Sequence, residues 1–261
     1  ITTRLVGSEM CIRDSYFIAV IATELGKVVS KETKIDILVT PLVTIGSGVA
    51  VSVLIAPTLG AIAMKVGDLI MLATNLQPFW MGIAVSVLVG VALTLPISSA
   101  AICAAFGLTG LAGGAAVAGC CAQMVGFAVM SFRENKWGGL VSQGIGTSML
   151  QMGNIIKNPR IWIAPIVTSA ITGPLATCLF KLQMNGTPVS SGMGTCGLVG
   201  QIGVYTGWMN DIEAGSKTAV TAMDWVGLIL ISFVLPAVLC PLINMVVRKL
   251  GWVKDGDMTL S

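Results

Sequence analysis

The sequence contains no histidine, and only 10% of its residues are charged. The first absence removes the usual phosphoryl carrier, the usual general base and the commonest metal ligand together. The second excludes an ordinary soluble domain, in which roughly a quarter of the residues carry charge. Uncharged intervals cover 37–64, 69–132, 137–156, 161–180, 182–210 and 225–247. Each reaches or exceeds the roughly 20 residues that cross hydrocarbon as a helix. With 55% hydrophobic residues and a mean hydropathy of +0.90, this is the sequence of an integral membrane protein.

Other chemistry is missing as well. The seven cysteines show no CxxC spacing and read as small buried hydrophobes. The net charge of +3 sits in short connections, so it speaks for topology and not for nucleic acid. No lysine, arginine or carboxylate falls inside a well-defined span, so no intramembrane proton relay or anion clamp is visible. No nucleophile, base and acid can be assembled into a catalytic set, and no metal or cofactor is expected.

The string "LVGSEMCIRDS", Leu5–Ser15, has neither the basic start nor the apolar run of a signal peptide. It is the translation of a transposon adapter used in preparing sequencing libraries. Residues 1–15 are therefore expected to be adapter-derived, the native sequence to begin near Tyr16, and helices upstream of it to be missing. The expected organisation is a single membrane domain over 16–255, followed by a short tail at 256–261.

Along that domain, Tyr16–Ala22 reads as a helix end and "ELGKVVSKETKID" as a solvated basic connection. The interval Ile37–Met64 is one kinked span or a tight pair of helices. Pro78–Leu95 is a span stopped by Pro96. Ala112–Met130 presents Gly, Ala and Cys surfaces suited to close packing in a bundle. Basic residues at 133–136, at 157–160 and in the C-terminal tail lean cytoplasmic, and the acidic loop Asn210–Asp224 leans outward. Trp137–Ile156 lies between two basic loops, so it reads as an interfacial or re-entrant helix and not as a crossing. On it Gln143, Thr147, Gln151 and Asn154 form one polar stripe, facing either water or a substrate cavity. Arg160–Lys181 brackets the next span, and Trp225–Val247, interrupted by Pro236 and Pro241, is the last.

Two stretches repeat a pattern. "PISSAAICAAFGLTG" (Pro96–Gly110) and "PVSSGMGTCGLVG" (Pro188–Gly200) both run Pro, branched aliphatic, Ser, Ser, small residue, and both reach Gly-Leu-X-Gly. The second holds four glycines and three hydroxyl side chains within an uncharged interval. Backbone without regular helix is tolerated at membrane depth only where protein or a watery cavity surrounds it. Paired broken segments in two halves of a transporter point to a binding site at the midplane. The fold expected is therefore an all-α polytopic bundle with broken or re-entrant segments and an internal repeat. The candidate substrate-binding residues are Ser98, Ser99, Gln143, Thr147, Gln151, Asn185, Thr187, Ser190, Ser191, Gly192, Gly194 and Thr195. Hydroxyl and amide groups without charge suit a neutral, polyhydroxylated ligand.

At these residues the chain resembles the membrane-embedded IIC permeases of the bacterial phosphotransferase system, in the branch that includes the perfringolysin-regulator-like proteins. The matching pieces are "NLQPFWMGI", "LPISSAAI", "GLTGLAGGAA", "AQMVGFAVMSFRENK", "GTSMLQ", "NPRIWIAP" and "SGMGTCGLVG", in the family's order. The resemblance implies a multi-pass permease of the bacterial inner membrane that moves a sugar while separate IIA and IIB subunits phosphorylate it. Phosphotransferase activity would need those subunits, since this chain has no histidine to carry the group. The Gly-Ile-Thr-Glu signature of glucose-type permeases is absent, so that branch's sugar contacts do not transfer. The expected partners are a small neutral solute, IIA and IIB proteins and lipid, with a homodimer among the assemblies allowed. Two other readings use the same scaffold: a membrane-embedded regulator or sensor, and an ion-coupled secondary transporter.

Overall fold

In the computed structural model the residues described are 68–95 and 98–260, together with Ile45 and Lys65. The readings of Tyr16–Ala22, Ile37–Met64 and Pro96 fall outside them. Contacts divide the chain into one unit of residues 1–67 with Ala104–Phe106 and a second of Asp68–Cys103 with Gly107–Ser261.

The described residues form helices and turns, with an isolated antiparallel bridge between Gly110 and Met184. In chain order the helices are α1 (Pro78–Thr94), α2 (Ser99–Ala105), α3 (Gly110–Met130), α4 (Phe132–Val141), α5 (Met152–Lys157), α6 (Ile163–Pro174), α7 (Pro188–Ser191), α8 (Val199–Glu213), α9 (Ala222–Ile229) and α10 (Leu235–Lys249). Among the described residues three continuous helical stretches are long and apolar enough to cross a membrane: Gly110–Met130, Pro159–Leu179 and Ala222–Lys249. This is an all-α helical membrane bundle.

Helix α1 stops where the sequence says it should. Leu95 turns extended (φ −68°, ψ 157°), the conformation that the ring of a following proline imposes. The prolines of the last span act differently from the expectation. They do not interrupt it: Ala222–Lys249 is continuous, and a π-helical turn at Leu230–Val234 immediately precedes Pro236. A second such turn, Leu175–Leu179, follows Pro174 in the preceding span. The wider turn ahead of Pro236 contains Ser232, whose carbonyl that proline leaves without its helical partner.

Helix α3 is the centre of the bundle, with nearly all of its length buried against α1, α6 and α10. Its small residues make this possible. A β-carbon at Gly119 would collide with the Ser86 carbonyl of α1, and one at Gly90 would meet the Gly119 carbonyl. Without a hydrophobic drive between helices in lipid, such close contact and interhelical hydrogen bonding supply the association. Gln123, fully buried on α3, has its amide used: Oε1 accepts from Thr94 (3.2 Å) and Trp162 (2.9 Å), and Nε2 reaches Ser169 (3.5 Å).

The three basic loops come to one end of the bundle. Arg248 at the end of α10 pairs with Glu134 at 2.9 Å, and Asn158 bonds to Trp252 and Asp257 of the C-terminal segment. Residues 132–157 leave that end and return to it, so they form a re-entrant hairpin, hairpin A. It is not one helix with a regular polar stripe. It turns through a π-helical segment at Ser142–Gly146, an extended Thr147 (φ −159°, ψ 143°) and a 3₁₀ turn at Ser148–Gln151.

Candidate functional site

A second hairpin, B, enters from the opposite end. It runs inward from Leu182 to Leu198 and back out along α8. Helix α3, 21 residues and about 30 Å long at 1.5 Å per residue, serves as a ruler of depth. Met184 bridges to Gly110 at one end of α3, Gly194 packs on Cys120 at its middle, and Thr195 reaches Met124. The return helix lies glycine-first against the inward strand: β-carbons at Gly203 and Gly207 would strike Ser190 and Asn185. Gly194 itself takes φ +54°, where a side chain would be strained whatever the space.

The two proline-led repeats meet. Ser99 Oγ donates to the Gly192 carbonyl at 2.7 Å, and the Cys120 thiol reaches the same oxygen at 3.4 Å. A β-carbon on Gly192 would overlap the Ser99 carbonyl group and the Ala100 nitrogen. Ser191 Oγ bonds to the carbonyls of Leu108 (2.9 Å) and Pro188. Cys120 is the eleventh of the 21 residues of α3, so this contact lies at mid-depth. Below it, Thr195 Oγ1 donates to the Gly144 carbonyl at 2.6 Å and joins the tips of the two hairpins.

Most of the hydroxyl groups singled out in the sequence therefore tie backbone together. Ser98 caps α2 by accepting from the Ala101 N–H (3.2 Å), Ser99 and Ser191 join the repeats, Thr195 joins the hairpins, and Thr187 and Ser190 pair with each other at 2.8 Å. The glutamines of the stripe bind one another. Gln151 Nε2 donates to Gln143 Oε1 (3.0 Å), Gln143 Nε2 to Ser131 Oγ (2.9 Å), and Asn154 Nδ2 to Gln151 Oε1 (2.8 Å). Gln143 and Gln151 are fully buried within the protein. Thr147 stands apart, capping the 3₁₀ turn through the Met149 N–H.

Asn185 is placed differently. Its Nδ2 donates to both carboxylate oxygens of Asp211, at 3.0 and 2.8 Å, and among the described residues its Oδ1 accepts no hydrogen bond. It lines a polar cleft of about 390 Å³ at the outer end of hairpin B, with Gln183, Asp211, Lys217 and Asp224 around it and Trp208 as the floor. Lys217 closes over that floor, its ammonium 5.2 Å from the Trp208 ring and 2.7 Å from Asp224. Sequence reasoning missed Trp208 and Asp211. The signal was present: they stand three apart on one helix, so they share a face, but the loop from Asn210 was read for its charge alone. A further polar atom was missed deeper down. Gln201 Oε1, buried near mid-depth beside Cys121, has no partner among the described residues. Groups of that kind in a bundle interior call for water or a ligand.

Two broken segments meet at mid-depth, and a polar cleft lies at the outer end of hairpin B. The family described as Phosphotransferase system, EIIC matches residues 5–260. The chain belongs to this family. The match starts inside the string expected to be adapter-derived. No curated protein and no solved structure matches the chain. Membership makes this EIIC protein a permease component that works with IIA and IIB phosphocarrier components on a sugar.

Proposed function

We propose that this EIIC protein carries a neutral, polyhydroxylated sugar across the bacterial inner membrane, with the repeats Pro96–Gly110 and Pro188–Gly200 forming the barrier that the sugar passes. One observation carries the reading: Ser99 of the first repeat and Gly192 of the second are bonded to each other beside the middle residue of the central helix. Irregular backbone at that depth needs protein or a cavity around it. The cleft at the mouth of hairpin B has the groups for the first contact. The free Asn185 Oδ1 and the Asp211 carboxylate accept from sugar hydroxyls, and Gln183 offers donor and acceptor together. Its charges balance, two lysines against two carboxylates, which favours a neutral solute over an ion.

The experiment is uptake of labelled sugar in cells that depend on this chain and possess IIA and IIB. Asn185→Ala leaves the Asp211 carboxylate without its amide and removes an acceptor. Uptake is expected to fall about tenfold, the factor that about 1.4 kcal/mol of lost binding gives, with the amount of protein in the membrane unchanged. Ser190→Ala and Ser191→Ala act on the packing of the barrier and are expected to lower uptake less. Uptake equal to wild type in all three would contradict the proposal.

A further inference from the structure

The C-terminal segment beyond α10 does not trail away. Residues 250–260 fold back across the basic end and lie along hairpin A, where side chains hold them by their backbone. Glu134 accepts from the N–H groups of Gly256 (3.2 Å) and Met258 (2.9 Å) while pairing with Arg248. The Met258 carbonyl accepts from both Asn135 (2.7 Å) and Gln151 (3.0 Å). Asn154 donates to the Thr259 carbonyl at 3.0 Å, and Asn135 Oδ1 accepts from the Leu260 N–H at 2.8 Å. Met258 and Val253 are buried, packed with Phe127, Met130 and Val247 at the ends of α3 and α10.

Three features separate this from ordinary tail packing. The donors and acceptors are side chains of hairpin A itself, Glu134 and the amides including Gln151, which is bonded onward to Gln143 below the tip. The tip carries Gly144, whose carbonyl holds Thr195 of hairpin B. A cleft of about 330 Å³ lies between the segment and α5, lined by Asn154, Lys157, Asp257 and Thr259, so one flank of the segment is unpacked. The chain of contacts is continuous: C-terminal segment, Gln151, Gln143, hairpin tip, Thr195.

We propose that residues 250–260 are a strap that holds hairpin A in its folded position, and that releasing the strap frees the hairpin tip from Thr195. The regulatory part of this inference, that the strap sets the rate of solute passage, rests on the permease reading. The mechanical part does not. Most of the bonds are between neutral groups, so salt alone does not release the strap; a partner that competes for the segment from its open flank does.

Hydrogen exchange read by mass spectrometry on the purified full chain in lipid nanodiscs tests it. Met258→Asp places a charge in a fully buried site and ejects the strap while leaving the sequences of hairpin A and α10 untouched. A second variant, ending at Asp257, removes the buried methionine and five of the hydrogen bonds and covers the case in which the charged variant does not fold. In either, amides of 138–157 are expected to exchange at least about tenfold faster, with α3 unchanged. If the strap amides exchange freely while those of 138–157 keep wild-type protection, the strap does not hold the hairpin and the proposal falls. Uptake is measured in parallel. Faster exchange with no uptake of sugar by wild-type protein would count against the permease reading and leave the strap in place.

Discussion

Hairpin A and hairpin B enter the bundle from opposite ends and meet at their tips, yet they are held by different means. Hairpin A is fixed by side chains: Gln143, Gln151 and Asn154 bond to each other and to the strap. Hairpin B is fixed by backbone approach: its inward strand lies on glycines of α8 and against Cys120, where no side chain would fit. One amide side chain of B, on Asn185, keeps an acceptor facing the cleft. Polar residues in this bundle thus divide into those that satisfy one another and those that keep an atom unpaired, and the proposed path runs beside the second kind.

If B depends on backbone approach, a β-carbon there is the most damaging change. Gly194→Val combines a positive φ with a contact 2.7 Å from the Cys120 side chain, so a loss of about 3 kcal/mol or more is expected. Thermal unfolding in detergent would show it as a large drop in midpoint or as absence of folded protein.

Gln151→Leu tests the side-chain construction of A. It leaves Gln143 Oε1 and the Met258 carbonyl short of a donor in a buried place, with an expected cost of about 2 kcal/mol. The same thermal measurement should show a smaller drop than for Gly194→Val. A neutral result would mean that the amide ladder is not what holds the hairpin.

Asp211→Asn sharpens the division between structure and path. Asp211 lines the cleft and is not buried, so stability should change by under about 1 kcal/mol while sugar uptake falls several-fold. Equal losses of both would return Asp211 to the structural class.

The smallest effect concerns the strap and pH. The Lys254 backbone N–H holds the Asp257 carboxyl below its ordinary value, with Asn158 adding a side-chain bond. A depressed carboxylate contributes above its unfolded value of about 3.9 and loses that contribution as pH falls through the lower folded value. Exchange protection of the strap is therefore expected to be flat from about pH 5 to 8. Asp257→Asn should weaken it slightly at every pH in that range.

How much of this could be read in the sequence depends on what each residue's neighbours are. The spans were legible, since an uncharged interval has few solutions in lipid, and so was the small-residue face of α3. The return of residues 132–157 to their starting end followed from two basic loops that could not lie on opposite faces. The stripe at Gln143, Thr147, Gln151 and Asn154 assumed a continuous helix; the extended Thr147 breaks that geometry and sends its hydroxyl to a local cap. Gln151 also bonds to the Met258 carbonyl, more than 100 residues away on the strap, and nothing in periodicity pairs them. Pro236 and Pro241 were read as interruptions because a proline's lost bond is visible in sequence, whereas the π-helical turn that accommodates Pro236 is not.

The contact between the two repeats is the claim on which the proposed barrier stands, and a disulfide tests it most directly. Ser191 of the second repeat neighbours Cys103, which lies within the first. In a chain that keeps Cys103 as its one native cysteine, Ser191→Cys and a membrane-permeant oxidant should yield a linked peptide pair by mass spectrometry, lost again with Cys103→Ser. A folded protein that gives no such pair would place the repeats apart and contradict the account.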